Sequence, residues 1–221
     1  MGYGGNQPFG GLIATYGSLS LTAKSPVQSF TEPLSLAEVK EYLNLPQRSP
    51  VDNAEDDMLN GYISAAREVA EVEQGRDLVL KQWDLSFDTF WTYQIELRDP
   101  LVSVDLFQYK DSGGNINPLV ENTNYLVNKA KHPGVVTPMF NSYWPAFLGW
   151  PTSAVLIRFT SGFASTDAFW SDAGKRLKVG MLMLISGWFN NRLPYAIARA
   201  IIEYPYGVAP LLSYGGIKRV R

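Results

Sequence analysis

The chain has 221 residues, a formal net charge of -2, one histidine and no cysteine, and 46% of it is hydrophobic. This length suits one domain with appendages and allows a sizeable core, and the apolar content excludes a mainly disordered chain. The lack of cysteine removes disulfides, thiol nucleophiles and cysteine-based zinc sites and fits a cytosolic assembly route, while the mild negative charge argues against a general nucleic-acid binder.

Residues 1–30 open with "MGYGGNQPFGG", which has many breakers and no period. Two readings stand: a flexible tail, or an arm that orders against a neighbouring subunit through Tyr3, Phe9, Leu12, Ile13 and Tyr16. The start lacks the positive region and apolar run of a secretory signal. Met1-Gly2 is followed at position 6 by Asn6, where a myristoylation start needs Ser or Thr.

A helix is predicted over 35–44. Ser35 and Glu38 make an S-x-x-E capping box at its start, and Pro46 and Pro50 end it. A longer helix follows over 54–74. Glu55, Asp56 and Asp57 sit in its first turn, where the dipole favours negative charge. Leu59, Tyr62, Ile63, Ala66, Val69 and Ala70 recur at helical spacing, and Gly75 is the stop.

Over 78–163 the period changes to two. In "QWDLSFDTF", Trp83, Leu85 and Phe87 alternate with Asp84, Ser86 and Asp88, the pattern of a half-buried strand. "LVSVDLFQY" alternates too, and "DSGGN" reads as a hairpin turn. "NYLVNK" and "GVVTP" flank the turn "KHPG", and "AVLIRFTSGF" puts Val155, Ile157 and Phe159 on one face. "PMFNSYWPAFLGWP" between them is an aromatic, proline-punctuated loop. Helix returns over 172–190, with Asp172 as its expected cap, and a short helix is expected near 196–202. The end, "LLSYGGIKRVR", is expected to be a loop with a basic tip, within a tail over 204–221. Helices at both ends of the domain around a small, mainly antiparallel β region make the class α+β.

Candidate chemistry is sparse. His132 is the single histidine and sits in a turn, so it reads as exposed rather than as a base or ligand. No G-x-S-x-G elbow or phosphate loop occurs. Asp84 and Asp88 share a strand face and could serve a glycosidase, but that face is the solvated one. The Glu55–Asp57 run is explained by the helix dipole rather than a metal. Tyr143, Trp144, Phe147 and Trp150 could stack a sugar or base; packing a core or subunit contact is the simpler reading. At the C-terminus, Lys218, Arg219 and Arg221 follow Leu211, Leu212, Tyr214 and Ile217, a set that suits docking onto a protein. No catalytic, cofactor or metal site is expected.

"RLKVGMLMLISGWFNNR", Arg176 to Arg192, is apolar on nearly every face yet too short to cross a bilayer, which takes about 20 apolar residues. No membrane contact is expected, and its extra faces need cover.

The order of these segments resembles the head–tail connector (adaptor, or head-completion) family of tailed bacteriophages and phage-like particles. "PLSLAEVKEYL" is similar to the family's opening helix, and "DDMLNGYISAAREVAEVEQGRDL" to its most characteristic segment, with Ala65-Ala66-Arg67 and Gly75-Arg76. "QWDLSFDTF", "DPLVSVDLFQYKDSGG", "YLV", "HPGVV", "WP" and "VLIRFTSGF" follow in the family's order, then "LKVGMLMLISGWFNNR" and "YPYGVAPLLSYGGIKRV". The resemblance covers 31–221, which it implies is one connector domain; the N-terminal stretch is outside the usual pattern. It implies a non-enzymatic virion protein of the neck, assembled in the host cytoplasm into a ring of about a dozen copies, a dodecamer. That ring would sit under the portal protein and join it to a stopper or tail-completion protein. DNA would pass through without sequence-specific binding. Leu211, Leu212, Tyr214, Ile217, Lys218, Arg219 and Arg221 become the expected portal-docking set. Leu177, Met181, Leu184, Ile185 and Trp188 become the expected contact with neighbouring copies. The alternatives are another neck, tail-completion or baseplate subunit, or less readily a carbohydrate-binding module or glycosidase.

Overall fold

A computed structural model describes residues 20–23, 31–45, 53–90, 92–146, 150–190, 208–213 and 216. They divide into a helical unit, from the described residues of 31–80 and 162–216, and a sheet unit, from 81–161 with the strand at 20–23. Helices and antiparallel sheets are thus segregated, as the α+β pattern requires. The expected helix at 196–202 lies outside the described residues.

In the helical unit, α1 spans Leu36–Tyr42 and α2 spans Asn53–Gln74. The capping box forms: the Ser35 hydroxyl accepts from the Glu38 N–H at 3.2 Å, and the Glu38 carboxylate accepts from the Ser35 N–H at 2.7 Å. On α2, Leu59, Ile63, Ala66 and Ala70 fall on one face and are buried. Gly75 adopts φ +68° and donates its N–H to the Glu71 carbonyl at 2.9 Å, ending the helix in the left-handed turn expected of it.

After the sheet unit, α3 spans Ala168–Ser171 and α4 spans Ala173–Asn190. The helix expected over 172–190 forms as α4, starting one residue later, and α3 is an additional short helix before it. Asp167 caps α3, its carboxylate accepting from the Phe169 N–H at 2.8 Å, and Asp172 is the break between α3 and α4. α5, Val208–Ser213, replaces part of the loop expected in the tail. Val208 and Leu212, one helical turn apart, are both fully buried, and that pair of anchors is what stabilises so short a helix.

The cover of α4 differs from expectation. Leu177, Met181, Leu184 and Ile185 are at most 2% exposed within a single chain. They share a core with Leu59, Ile63, Ala66 and Ala70 of α2 and Val208 and Leu212 of α5. These four side chains therefore meet their own subunit, not a copy. A Cβ at Gly180 would stand 2.8 Å from Leu212 Cδ2, so the glycine is what admits α5 to this face. Trp188 is half-buried, its ring tilted against Tyr62 at 5.9 Å. On the opposite side, Val179 is 46% exposed.

The sheet unit contains β1 (Ser20–Ala23), β2 (Lys81–Phe87), β3 (Ile95–Glu96), β4 (Leu101–Lys110), β5 (Ile116–Pro118), β6 (Tyr125–Asn128), β7 (Val135–Pro138) and β8 (Val155–Ser161). A five-stranded sheet runs β1-β2-β8-β4-β5 and a three-stranded one β3-β7-β6, every pair antiparallel. Leu85, Phe87, Phe107, Val155, Ile157 and Phe159 of the larger sheet share a core with Ile95, Tyr125 and Val136 of the smaller, so the period-two readings of β2 and β8 carry through to burial. β1 lies inside the stretch expected to be an arm and pairs Leu21 with Leu85.

The other face of the larger sheet is polar and cross-linked. Arg158 grips Asp84 with both arms, Nε to Oδ1 at 2.7 Å and Nη2 to Oδ2 at 2.8 Å, directly across the β2–β8 pair. Asp105 accepts from Ser103 (2.6 Å), Gln82 (2.7 Å) and Thr160 (2.8 Å). Partial burial pushes the Asp105 carboxyl up, but those three hydrogen bonds and the Arg158 charge outweigh it and hold the carboxyl below its ordinary range.

Two outcomes are expected. Leu184→Ala removes a buried side chain from the core and lowers unfolding free energy by about 2–5 kcal/mol, read from urea denaturation. A carboxyl held low in the folded chain stabilises it above the unfolded value of about 3.9 and loses that contribution as pH falls through the folded value. Asp105→Asn is therefore less stable than the parent at neutral pH, and the gap narrows in urea titrations repeated at falling pH below about 4.

Candidate assembly surfaces

The residues with catalytic potential are engaged in holding the fold. Both Asp84 oxygens are taken by Arg158, and an Asp88 oxygen accepts from the Ser153 N–H at 2.6 Å, tying the end of β2 to the segment entering β8. A groove over the polar face includes Asp84, Ser86, Gln108 and Lys110, but its acid is this same paired one. Asp56 pairs with Lys40, joining α2 to α1. Among the described residues no group of three or more His, Cys, Asp or Glu is placed to hold a metal.

His132 is an exposed turn residue, as expected, yet it has a partner. Its Nδ1 stands 2.5 Å from Oδ1 of Asp99, which is almost fully buried. The pair joins the turn between β6 and β7 to the segment before β4. It was not readable from the sequence, because the two residues are 33 apart and no local pattern relates them.

In the helical unit, Arg67 explains the Ala65-Ala66-Arg67 motif. Ala66 is fully buried where a larger side chain would hold the helices apart, and Arg67 is only 5% exposed. Its Nε reaches Glu32 at 2.9 Å and its Nη1 reaches Glu71 at 3.0 Å. Glu71 also accepts from the Leu78 N–H at 3.1 Å, and Glu32 from the Ser64 hydroxyl at 3.0 Å. This buried charge is thereby paired and hydrogen-bonded, the condition for burying it at all.

The end of α2 holds the C-terminal segment. Gln74, fully buried, donates its side-chain amide to the Leu212 carbonyl and accepts from Arg76 at 2.7 Å. The Arg76 guanidinium lies 5.1 Å from the Phe169 ring centroid and 5.6 Å from that of Phe163, and those two rings stack at 4.0 Å. A Cβ at Gly216 would come within 3.2 Å of the Gln74 backbone. Of the expected docking set, Leu212 is thus an internal anchor, fully buried, and cannot reach a partner; Leu211 is half-buried. Tyr214, Ile217, Lys218, Arg219 and Arg221 lie outside the described residues.

The aromatic loop after β7 does not form a single stacking platform. Trp144 is drawn into the sheet core. It stacks on Phe90 at 5.0 Å and 9°, tilts against Phe107 at 5.5 Å, and donates Nε1–H to the Thr92 carbonyl at 2.9 Å. Trp150 lies under Lys110, whose Nζ is 3.9 Å from the ring centroid. Tyr143 is left exposed with its neighbour Phe140. Phe147 lies outside the described residues.

No protein-family model matches the chain, and no curated protein matches it. Solved structures share its fold. A chain from the neck of an empty GTA particle computed with C6 symmetry aligns with a TM-score of 0.69 at 21% identity, covering 91% of this chain and 97% of that one. A chain from the virion of a native gene transfer agent (GTA) particle aligns with a TM-score of 0.66 at 21% identity, with the same coverage of 91% and 97%. A chain from the neck of a native GTA particle computed with C12 symmetry aligns at 0.64 and 22% identity, again over 91% and 97%. The likeness takes in both the helical and the sheet unit, and the fold is one found in the necks of GTA particles.

Proposed function

We propose that the chain is a structural subunit of the neck of a phage-like particle. In this reading about twelve copies form a ring under the portal, joining the DNA-filled head to the stopper or tail-completion protein. The observation that carries it is the near-complete mutual coverage, 91% of this chain and 97% of chains from particle necks solved with C6 and C12 symmetry. The engagement of Asp84, Asp88 and Asp56 in structural bonds favours this over a glycosidase. The net charge of -2 suits a wall past which DNA slides, because it does not grip phosphates.

Copies meet α4 on its outer side. The inner side is filled by the chain's own core, whereas Val179 is exposed and Leu182 and Met183 are only half-buried. Contact with the portal falls to the C-terminal segment, with Leu211, Tyr214, Ile217, Lys218, Arg219 and Arg221 as the reaching residues and only the buried Leu212 removed from that set.

Reconstruction of the particle neck tests the reading as a whole: a closed ring of this chain around the DNA path is expected, and its placement elsewhere in the particle would sink the proposal. Val179→Glu is expected to leave the unfolding midpoint within about 0.5 kcal/mol of the parent while cutting the ring fraction measured by mass, the converse of the core variant at Leu184. Replacing Lys218, Arg219 and Arg221 by Ala is expected to weaken portal pull-down without changing ring mass, with the parent's own binding falling as salt rises.

A further inference from the structure

α2 and α4 meet through Leu59, Ile63, Ala66 and Ala70 of the one and Leu177, Met181, Leu184 and Ile185 of the other. The residues opposite those stripes therefore face away from the pair, in opposing directions. Glu68 and Val72 follow Leu59 and Ile63 by about two and a half turns, which places them on the far side of α2. Lys175 and Arg176 precede Leu184 and Ile185 by the same interval, about two and a half turns, on the far side of α4. All four are exposed, and so is Val179, one turn beyond Lys175.

The two far sides carry opposite charge. On α2 the exposed charges are Asp57, Glu68 and Glu73, while the cation Arg67 is buried with Glu32 and Glu71. On α4 the charged residues are Lys175, Arg176 and Lys178, with no acid among them. Lys178 turns back to Glu38 at 3.5 Å, which leaves Lys175 and Arg176 presented outward. They stand at the start of α4, where the helix dipole opposes positive charge and no acid in the first turn offsets it. Carboxylates brought from outside the helix relieve that repulsion. Apolar residues match as well as charges: Val179 lies one turn from Lys175, and Val72, 80% exposed, one turn from Glu68.

We infer that the far side of α4 in one copy docks on the far side of α2 in the next, Lys175 and Arg176 against Asp57 and Glu68, with Val179 closing the contact. The inference rests on the ring reading above and supplies the surface that receives α4. A second copy is the occupant because one chain carries both halves of the complement, on opposing sides of the same helix pair. Two such patches cannot meet within a chain. Between chains they make a head-to-tail contact, the kind that closes into a ring. A two-fold contact through α4 would instead set cation against cation.

The test reverses each half. Lys175→Glu with Arg176→Glu makes one variant and Asp57→Lys with Glu68→Lys the other, and urea unfolding checks that both fold. Ring mass is measured for the parent alone and with the portal protein, then for each variant and for their equimolar mixture where the parent assembles. Either variant by itself sets like charges at every contact and is expected to lose at least about tenfold in ring fraction. In the mixture, alternating copies restore an opposite pair at every contact, so rings of parental mass are expected to return. A mixture that stays unassembled, or a variant that assembles as the parent does, overturns the docking and leaves the ring standing. A parent that forms no ring in either condition overturns the reading on which the docking rests, and the docking with it. A second readout needs no reversed charge. The chain has no cysteine, so Gly61→Cys with Val179→Cys introduces the sole pair, and a Cβ at Gly61 meets nothing within 4 Å. In parental-sized rings a short bismaleimide is expected to link these positions into a ladder of chains several-fold stronger than Ala130→Cys with Val179→Cys gives. Equal ladders would refute the contact.

Discussion

α4 can persist in water only if its apolar inner face is covered, and the helical unit is organised by that cover. Leu177, Met181, Leu184 and Ile185 each contribute about 1.5–3 kcal/mol by leaving water, and together they draw α2 against one flank and α5 against another. Small residues set how close the partners come. Ala66 and Ala70 keep the α2 surface low, and Gly180 leaves the space that Leu212 fills. The two halves of this unit are separated in the chain by residues 81–161, so the packing of α4 also closes a long insertion.

Buried charge gives this packing its register. Arg67 is held between Glu32 before α1 and Glu71 on its own helix, and Glu71 turns its other oxygen to the Leu78 backbone. A buried ion pair adds little net stability compared with apolar groups, but a wrong pairing would strand a charge without solvent. The Gln74 amide does similar work at the end of α2, bonding the Leu212 carbonyl and Arg76 together. The motif around Gly75 is therefore a corner where the helix end, the backbone at Leu78 and the C-terminal segment are tied.

In the sheet unit the polar residues that suggested chemistry close seams between strands, while the aromatics that suggested a ligand divide between core and surface. Trp144 spends its ring and its N–H inward. Among the described residues, Phe140 and Tyr143 are left exposed.

The sequence by itself determined the long elements and, where the pattern is amphipathic, their inner faces. A 3.6 period over α2 and a period of two over β2 and β8 are repeated several times, and burial follows the repeat, whereas α4 reads as apolar on nearly every face and its inner side is not marked; the capping box at Ser35 and the stop at Gly75 are equally local in their chemistry. β3 and β5, of two and three residues, are too short to show a period, and β1 sits in a glycine-rich stretch with Ser20 and Thr22 exposed. The six residues of α5 likewise carry only two anchors. Tertiary structure alone decided which partner covers each apolar face. A hydrophobic stripe states that water must be excluded but not by what, because the effect has no direction or address. For that reason the sequence could mark Leu177 to Ile185 and Leu212 as residues in need of cover, and only the folded chain could show that they cover one another.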